Sequence, residues 1–212
     1  MLLCYVFAKS DTGNNRRVTE LAQAFLTRQP QVRLPTSEEV CATLEGENGA
    51  LAEYQFFLRF KYGSLNDVAR TVLHGRRHFA QHLTNTLTML EYPVYSAIDD
   101  AVIRASALPH ADTAGIILLQ SKLGELAIQD KRTILDCCGH RELTCVDVLG
   151  PYDFVLEFPA SAMADVNTML AHLRSVLPNR IAKAVPLFCR VFHGANAAPA
   201  PTPARPGAPP VG

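Results

Sequence analysis

The sequence predicts an α+β fold in which one β-α-β-β-α-β unit occurs twice and the two copies close into a pseudo-dimeric α+β barrel. Three observations carry this expectation. First, Tyr54-Gln55-Phe56-Phe57-Leu58-Arg59-Phe60 aligns without a gap with Tyr152-Asp153-Phe154-Val155-Leu156-Glu157-Phe158, and the same alignment pairs Asp67 with Asp165, Val68 with Val166, His74 with His172 and Arg76 with Arg174. Second, the order survives changes of loop length: Cys41 pairs with Cys145 and Gly46 with Gly150 upstream, and Pro93 with Pro186 downstream. Ordered matches of this kind mark an internal repeat. Third, halving a chain of 212 residues gives units within the usual domain size range.

The elements follow in order. Leu2 to Ala8 is an apolar first strand, Val18 to Arg28 a helix, and Val40 to Leu44 a second strand. Tyr54 to Lys61 is the third strand, Leu65 to about Gln81 the second helix, and Leu87 to Ser96 the fourth strand. In the second unit Ile116 to Gln120 is a short apolar run suited to a buried strand. Glu125 to Cys138 is helical in character and stops at Gly139, a residue suited to the position just past a helix. Thr144, Val146 and Val148 alternate with Cys145 and Asp147 along a strand from Glu142 to Leu149. Gly150-Pro151 makes a turn, and Tyr152 to Phe158 is the next strand. From Met163 the residues Val166, Met169, Leu170, Leu173, Val176 and Leu177 recur at three- and four-residue steps, which defines one face of an amphipathic helix ending at Pro178-Asn179. Ala184 to Phe192 is the last strand. This order is the split βαβ of ferredoxin-like domains. The expected boundaries are 1–98 for the first repeat, 99–113 for a connector and 114–194 for the second repeat. Residues 195–212 form a Pro/Ala-rich tail too poor in apolar residues to order itself. Pro93 and Pro186 are expected in the fourth strands, at a sheet edge where a missing donor is tolerated.

A four-stranded sheet with helices on one face leaves the other face bare. Tyr, Phe, Leu and Phe recur on one face of both third strands, so that face is assigned to the helix side. The opposite faces differ: Gln55, Phe57, Arg59 and Lys61 in one copy, Asp153, Val155 and Glu157 in the other. If the sheets pack face to face, Arg59 and Glu157 point into a shared interior and compensate each other, because an uncompensated buried charge costs several kcal/mol.

Lys+Arg and Asp+Glu are both 20, so no global charge draws the chain to nucleic acid or membrane. No apolar run approaches the roughly 20 residues of a membrane helix. The opening Met1 to Ala8 lacks the basic start of a secretory signal, which points to a cytoplasmic protein. Six Cys in a chain of this size form no small secreted framework, so reduced thiols are expected.

Leu149-Gly150-Pro151-Tyr152-Asp153-Phe154-Val155-Leu156-Glu157, continued through Asp165 and Leu173-Arg174-Ser175-Val176-Leu177-Pro178, resembles the effector-binding domain of Lrp/AsnC-type regulators. The resemblance covers about 50 residues of the second unit. It implies a dimeric α+β barrel whose Gly-x-Tyr-Asp turn lies near an interface pocket for small effectors. The first unit keeps Gly46 and Tyr54 but has Gln55 in place of the Asp, so only the second copy is expected to carry an intact effector turn. The family's helix-turn-helix is absent, which implies no direct DNA binding.

Other constellations have simpler explanations. His74, His78 and His82 lie four apart on one helix, a spacing that admits metal or haem ligation, but Arg76 and Arg77 interleave with them as on a solvated face. His74/His172 recur with Asp67/Asp165 at two helical turns, roughly 10.5 Å, too far for a direct bond. Ser64-x-x-Asp67 reads instead as a capping pattern at a helix start. Cys137-Cys138-x-His140 with Cys145 gathers soft ligands, yet adjacent Cys residues chelate one ion poorly. No nucleophile elbow or phosphate-binding glycine loop is present. RNA-recognition modules share the element order, but neither third strand carries their Lys/Arg-Gly-aromatic signature.

The expectation is therefore a non-enzymatic regulatory protein that binds a small-molecule effector or a protein partner, with Gly150, Tyr152, Asp153, Arg59 and Glu157 as the ligand-binding residues. Neither a cofactor, a metal nor a catalytic residue is expected; a homo-oligomer is compatible. The alternatives are a small dimeric-α+β-barrel enzyme of monooxygenase, isomerase or haem-dependent type, and a structural subunit of a larger complex.

Overall fold

The computed structural model describes residues 2–10, 40–46, 54–79, 83–91, 112–122, 131, 133, 134, 136 and 143–192. Eight strands and two helices lie within them: β1 (Leu2–Ser10), β2 (Val40–Glu45), β3 (Phe56–Tyr62), α1 (Leu65–Phe79), β4 (Leu83–Glu91), β5 (Thr113–Ser121), β6 (Thr144–Leu149), β7 (Phe154–Pro159), α2 (Met163–Val176) and β8 (Ile181–Phe192). Lys131, Thr133, Ile134 and Asp136 are also helical, in the stretch where the sequence predicts a helix. The predicted helix at 18–28, the residues Pro93 and His82, the Cys137-Cys138-x-His140 cluster and the 195–212 tail lie outside the described residues.

The strands close into one barrel in the order β1-β3-β2-β8-β5-β7-β6-β4. Read by halves, this is β4-β1-β3-β2 joined to β8-β5-β7-β6, the same arrangement twice. All eight neighbouring pairs are antiparallel. Where each half would end in an open edge, the second strand of one half meets the fourth strand of the other: β2 pairs with β8 and β6 with β4. Closure removes the unpaired edges that an isolated four-stranded sheet would expose.

This corrects the edge assignment of the fourth strands. The β8 strand is paired on both sides, and Pro186 is accommodated because the β2 ladder engages only Phe188 to Phe192. The register also corrects one predicted match. Val6 and Ile117 are equivalent, since they face Leu58 and Leu156, and they lie opposite Thr88 and Pro186 respectively. The counterpart of Pro186 is thus Thr88. The matches Cys41/Cys145 and Leu58/Leu156 hold, because each cysteine faces the corresponding leucine.

Three apolar layers result. The barrel interior takes Tyr5, Phe7, Phe57, Met89, Ile116, Leu118, Val146, Val155 and Leu187 among others. Beneath α2, Val166, Met169, Leu170 and Leu173 pack on Ile117, Leu119, Leu156, Phe158 and Phe188. Beneath α1, Val68 packs with Cys4, Phe56, Leu58, Phe60 and Tyr62. The β5 strand explains its own sequence: Ile116 and Leu118 face the interior while Ile117 and Leu119 face α2, so a strand covered on both sides reads as a continuous apolar run. Phe56, Leu58 and Phe60, with Phe154, Leu156 and Phe158, take the helix side as predicted, whereas Tyr54 and Tyr152 turn into the interior.

Both helices start on the acidic residue that the repeat singles out. Asp67 Oδ2 accepts from the Ser64 amide at 3.1 Å and the Ser64 hydroxyl at 2.8 Å. Asp165 Oδ2 accepts from the Ser161 amide at 2.8 Å, the Ser161 hydroxyl at 2.6 Å and the Ala162 amide at 3.1 Å. These bonds satisfy orphan donors of the first turn, and a carboxylate there suits the helix dipole.

Candidate functional site

Strand alternation puts one side chain of every pair of neighbours into the barrel. On β3 the inward positions are Phe57 and Arg59, and on β7 they are Val155 and Glu157. The guanidinium of Arg59 donates through Nη1 to Glu157 Oε2 at 2.6 Å, with side chains only 2% and 1% exposed. The compensation expected from sequence is therefore present as a buried ion pair. Two further protic groups share its surroundings. Tyr5, the β1 partner of Arg59, is wholly buried, and its phenol is pushed well above its ordinary range by burial first and by the Glu157 carboxylate next. The Cys189 thiol on β8 is raised by the same two causes in the same order, with Arg59 opposing. Both remain protonated at neutral pH. Sequence reading missed Tyr5 and Cys189; counting alternation along Cys4-Tyr5-Val6-Phe7 would have placed Tyr5 inside.

The other three predicted residues form the β6–β7 turn. There the Asp153 amide donates to Leu119 O at 2.8 Å and Asp153 O accepts from the Val148 amide at 3.0 Å. Gln55 does the same in the first half, donating to Ala8 O at 2.9 Å and accepting from the Leu44 amide at 2.8 Å. The clamp is thus a backbone device of the fold, indifferent to whether Asp or Gln stands there. The Asp153 carboxylate adds one bond, accepting from the Ser121 amide at 2.6 Å, which ties the turn to the end of β5. Tyr152 is buried in the interior cluster, with the Lys183 ammonium 5.2 Å from its ring centroid. Gly150 lies under Met89, where an added Cβ would come 3.0 Å from Cγ. The five predicted residues therefore fall in two groups, a buried pair and a turn.

A second set of protic groups lies by α1. Cys4 is fully buried and its thiol is pushed up to about 12 by desolvation. The Tyr62 phenol is raised by burial, then by neighbouring Cys4 and Glu91. Glu91 Oε2 accepts from the Leu3 amide at 2.6 Å, and Thr71 is buried on α1. The layer beneath α2 has no comparable set in its cluster, whose members are apolar side chains and the Cys145 thiol.

No family model matches the chain, and no curated protein matches it. Solved structures do. A mutant chlorite dismutase from Candidatus Nitrospira defluvii superposes with a TM-score of 0.55 at 15% identity, over 91% of this chain and 91% of that one. The same enzyme in complex with imidazole gives 0.53 at 14%, over 89% and 90%. A candidate monooxygenase from Lactobacillus acidophilus gives 0.50 at 8%, over 90% and 93%. At these identities the likeness establishes the fold, a dimeric α+β barrel spanning nearly all of each chain.

These neighbours correct two expectations. The Lrp/AsnC resemblance is not upheld: the matching structures include chlorite dismutases and a candidate monooxygenase, within the same broad fold class. The physical reason lies in the turn that carried the resemblance, which recurs in the first half with Gln55 and so reports the fold rather than an effector site. The non-enzymatic regulatory reading falls with it, since the neighbours bear the names of enzymes and point to the enzyme alternative.

Haem was among the groups considered for that alternative. The described residues beneath α2 do not fit it. Val166, Leu173, Ile117, Leu119 and Leu156 are all fully buried against one another, and Phe158 covers Gly115 so closely that a Cβ there would meet its ring at 2.4 Å. His172 on α2 is exposed, away from that layer. Among the described residues no group of three His, Cys, Asp or Glu side chains is placed to hold a metal ion. No described helix is long and apolar enough to cross a membrane.

Proposed function

We propose that this chain is a small dimeric-α+β-barrel enzyme of the monooxygenase type, working in the layer between α1 and the strands beneath it. The observation that carries the reading is the asymmetry of the two helix layers. One is closed by apolar packing, while the other holds the protic side chains of Cys4, Tyr62 and Thr71. The full-length likeness to a candidate monooxygenase and to chlorite dismutases supports an oxidative enzyme over a regulator. In this reading Tyr62, kept protonated by burial and by neighbouring Cys4 and Glu91, offers a proton to an oxygen of the substrate. Cys4 stays a thiol within that layer and does not act as a nucleophile. The barrel interior, with Arg59 and Glu157, is structural. A cytoplasmic location is part of this reading, supported by the opening residues, which lack a basic secretory start, and a homo-oligomer of closed barrels is compatible with the fold.

Oxygen uptake by the purified protein, with electron-rich phenols and hydroquinones as probes, tests the reading. Uptake above autoxidation that falls roughly 100-fold in Tyr62→Phe supports it. Absence of uptake across the panel contradicts the assigned type, and a Soret band in the purified protein assigns the haem-dependent type instead.

A further inference from the structure

We infer that the Arg59–Glu157 pair makes the inner sheet face of each half selective for the other half: each face fits a βαββαβ partner carrying the opposite charge at the equivalent position. The two residues are equivalents of each other. They are 98 residues apart, which is the offset of the ungapped alignment from Tyr54/Tyr152 onward. Their ladders agree, since Phe56 faces Ala8 and Phe154 faces Leu119, and the two turn clamps close on those same residues. A position that touches its own counterpart lies on the pseudo-two-fold axis relating the halves. In a barrel built from two identical halves, that position meets a copy of itself. Two guanidinium groups or two carboxylates would then be buried in contact, and like charges so placed repel without compensation. Opposite charges at the axis are open only to a barrel whose halves have diverged.

The protic groups beside the pair, Tyr5 and Cys189, stay uncharged and so impose no sign of charge on the facing half. Phe7, Phe57, Val146, Val155 and Leu187 are apolar and pack against either half on volume alone. One polar pair in an apolar contact is the usual means of fixing which surfaces associate.

The test uses the full chain in four forms besides wild type: Arg59→Glu, Glu157→Arg, the exchange R59E/E157R, and the apolar pair R59M/E157L. Each is unfolded in denaturant and refolded over a range of protein concentrations, then assayed for thermal midpoint and for mass by light scattering. Both single variants should lose roughly 10 °C or more, and the exchange should recover most of that loss. The apolar pair should keep a cooperative transition but refold to concentration-dependent higher-mass species, in which like halves of different chains associate. If R59M/E157L refolds at every concentration to the wild-type species alone, selectivity does not reside in the pair. Failure of R59E/E157R to recover above the single variants would also overturn the inference, and this arm decides the matter should the apolar variant not fold.

Discussion

Arg59 and Glu157 stand at the same position of two copies of one strand and meet through a 2.6 Å bond in the middle of a closed barrel. The contact is short, charge-assisted and almost wholly removed from water. Its neighbours Tyr5 and Cys189 are protic, and both titrate higher, first because they are buried and next because the pair's carboxylate is close. A buried pair of this kind adds little net stability over an apolar substitute, but losing one partner strands the other.

Asp153→Ala removes a carboxylate whose described bond is to the Ser121 amide, while the backbone clamp through Leu119 and Val148 remains. The expected cost is about 1.5–3 kcal/mol, the range for a hydrogen bond to a charged group. Urea denaturation measures it. A Gln side-chain oxygen can still accept from the Ser121 amide, without the charge, so Asp153→Gln should recover part of the loss.

Gly115→Ala tests the packing beneath α2. The new methyl would sit 2.4 Å from the Phe158 ring, which is itself buried, so ring or backbone must shift. Overpacking of this kind costs about 1–3 kcal/mol. The companion G115A/F158L, which relieves the clash, should be more stable than the single variant by thermal denaturation.

Alkaline pH should destabilise the fold before neutral or mildly acid pH does. The Cys4 thiol moves from 9.0 to about 12 on folding. Between those values the unfolded chain has released a proton that the folded chain keeps, so stability falls as pH rises. The contribution is intact below about pH 9 and declines above it, by roughly 1.4 kcal/mol per pH unit for one thiol. Cys189 and Tyr5 act in the same direction. Denaturation midpoints at about pH 8 and pH 10 should diverge, and Cys4→Ala should reduce the difference.

The repeat made most of the fold legible. An ungapped match through Tyr54–Phe60 and Tyr152–Phe158 identifies equivalent strands, and alternation determines which side chains turn inward, so Arg59 and Glu157 are opposed on sequence grounds alone. Asp67 and Asp165 were read as helix caps for the same reason, since local spacing determines a capping bond. What failed was inference across the gaps. Pro93 and Pro186 were matched by identity after a loop-length change, whereas ladder register equates Pro186 with Thr88. The site was less legible still. The Gly-Pro-Tyr-Asp turn reads as an effector motif, whereas its described backbone bonds clamp adjoining strands, a tertiary arrangement that no local pattern reveals. Cys4 and Tyr62 come from two strands, and only the register of those strands brings them together beneath α1.

A double-mutant cycle on Arg59 and Glu157 tests the face-to-face barrel most directly. Measured at protein concentrations low enough that every variant refolds as a single species, denaturation free energies of wild type, Arg59→Met, Glu157→Leu and R59M/E157L should give single losses of about 3–5 kcal/mol each and a double variant close to wild type, hence a coupling of several kcal/mol. Independent, additive losses would mean that the two side chains do not meet, and that the halves do not share an interior.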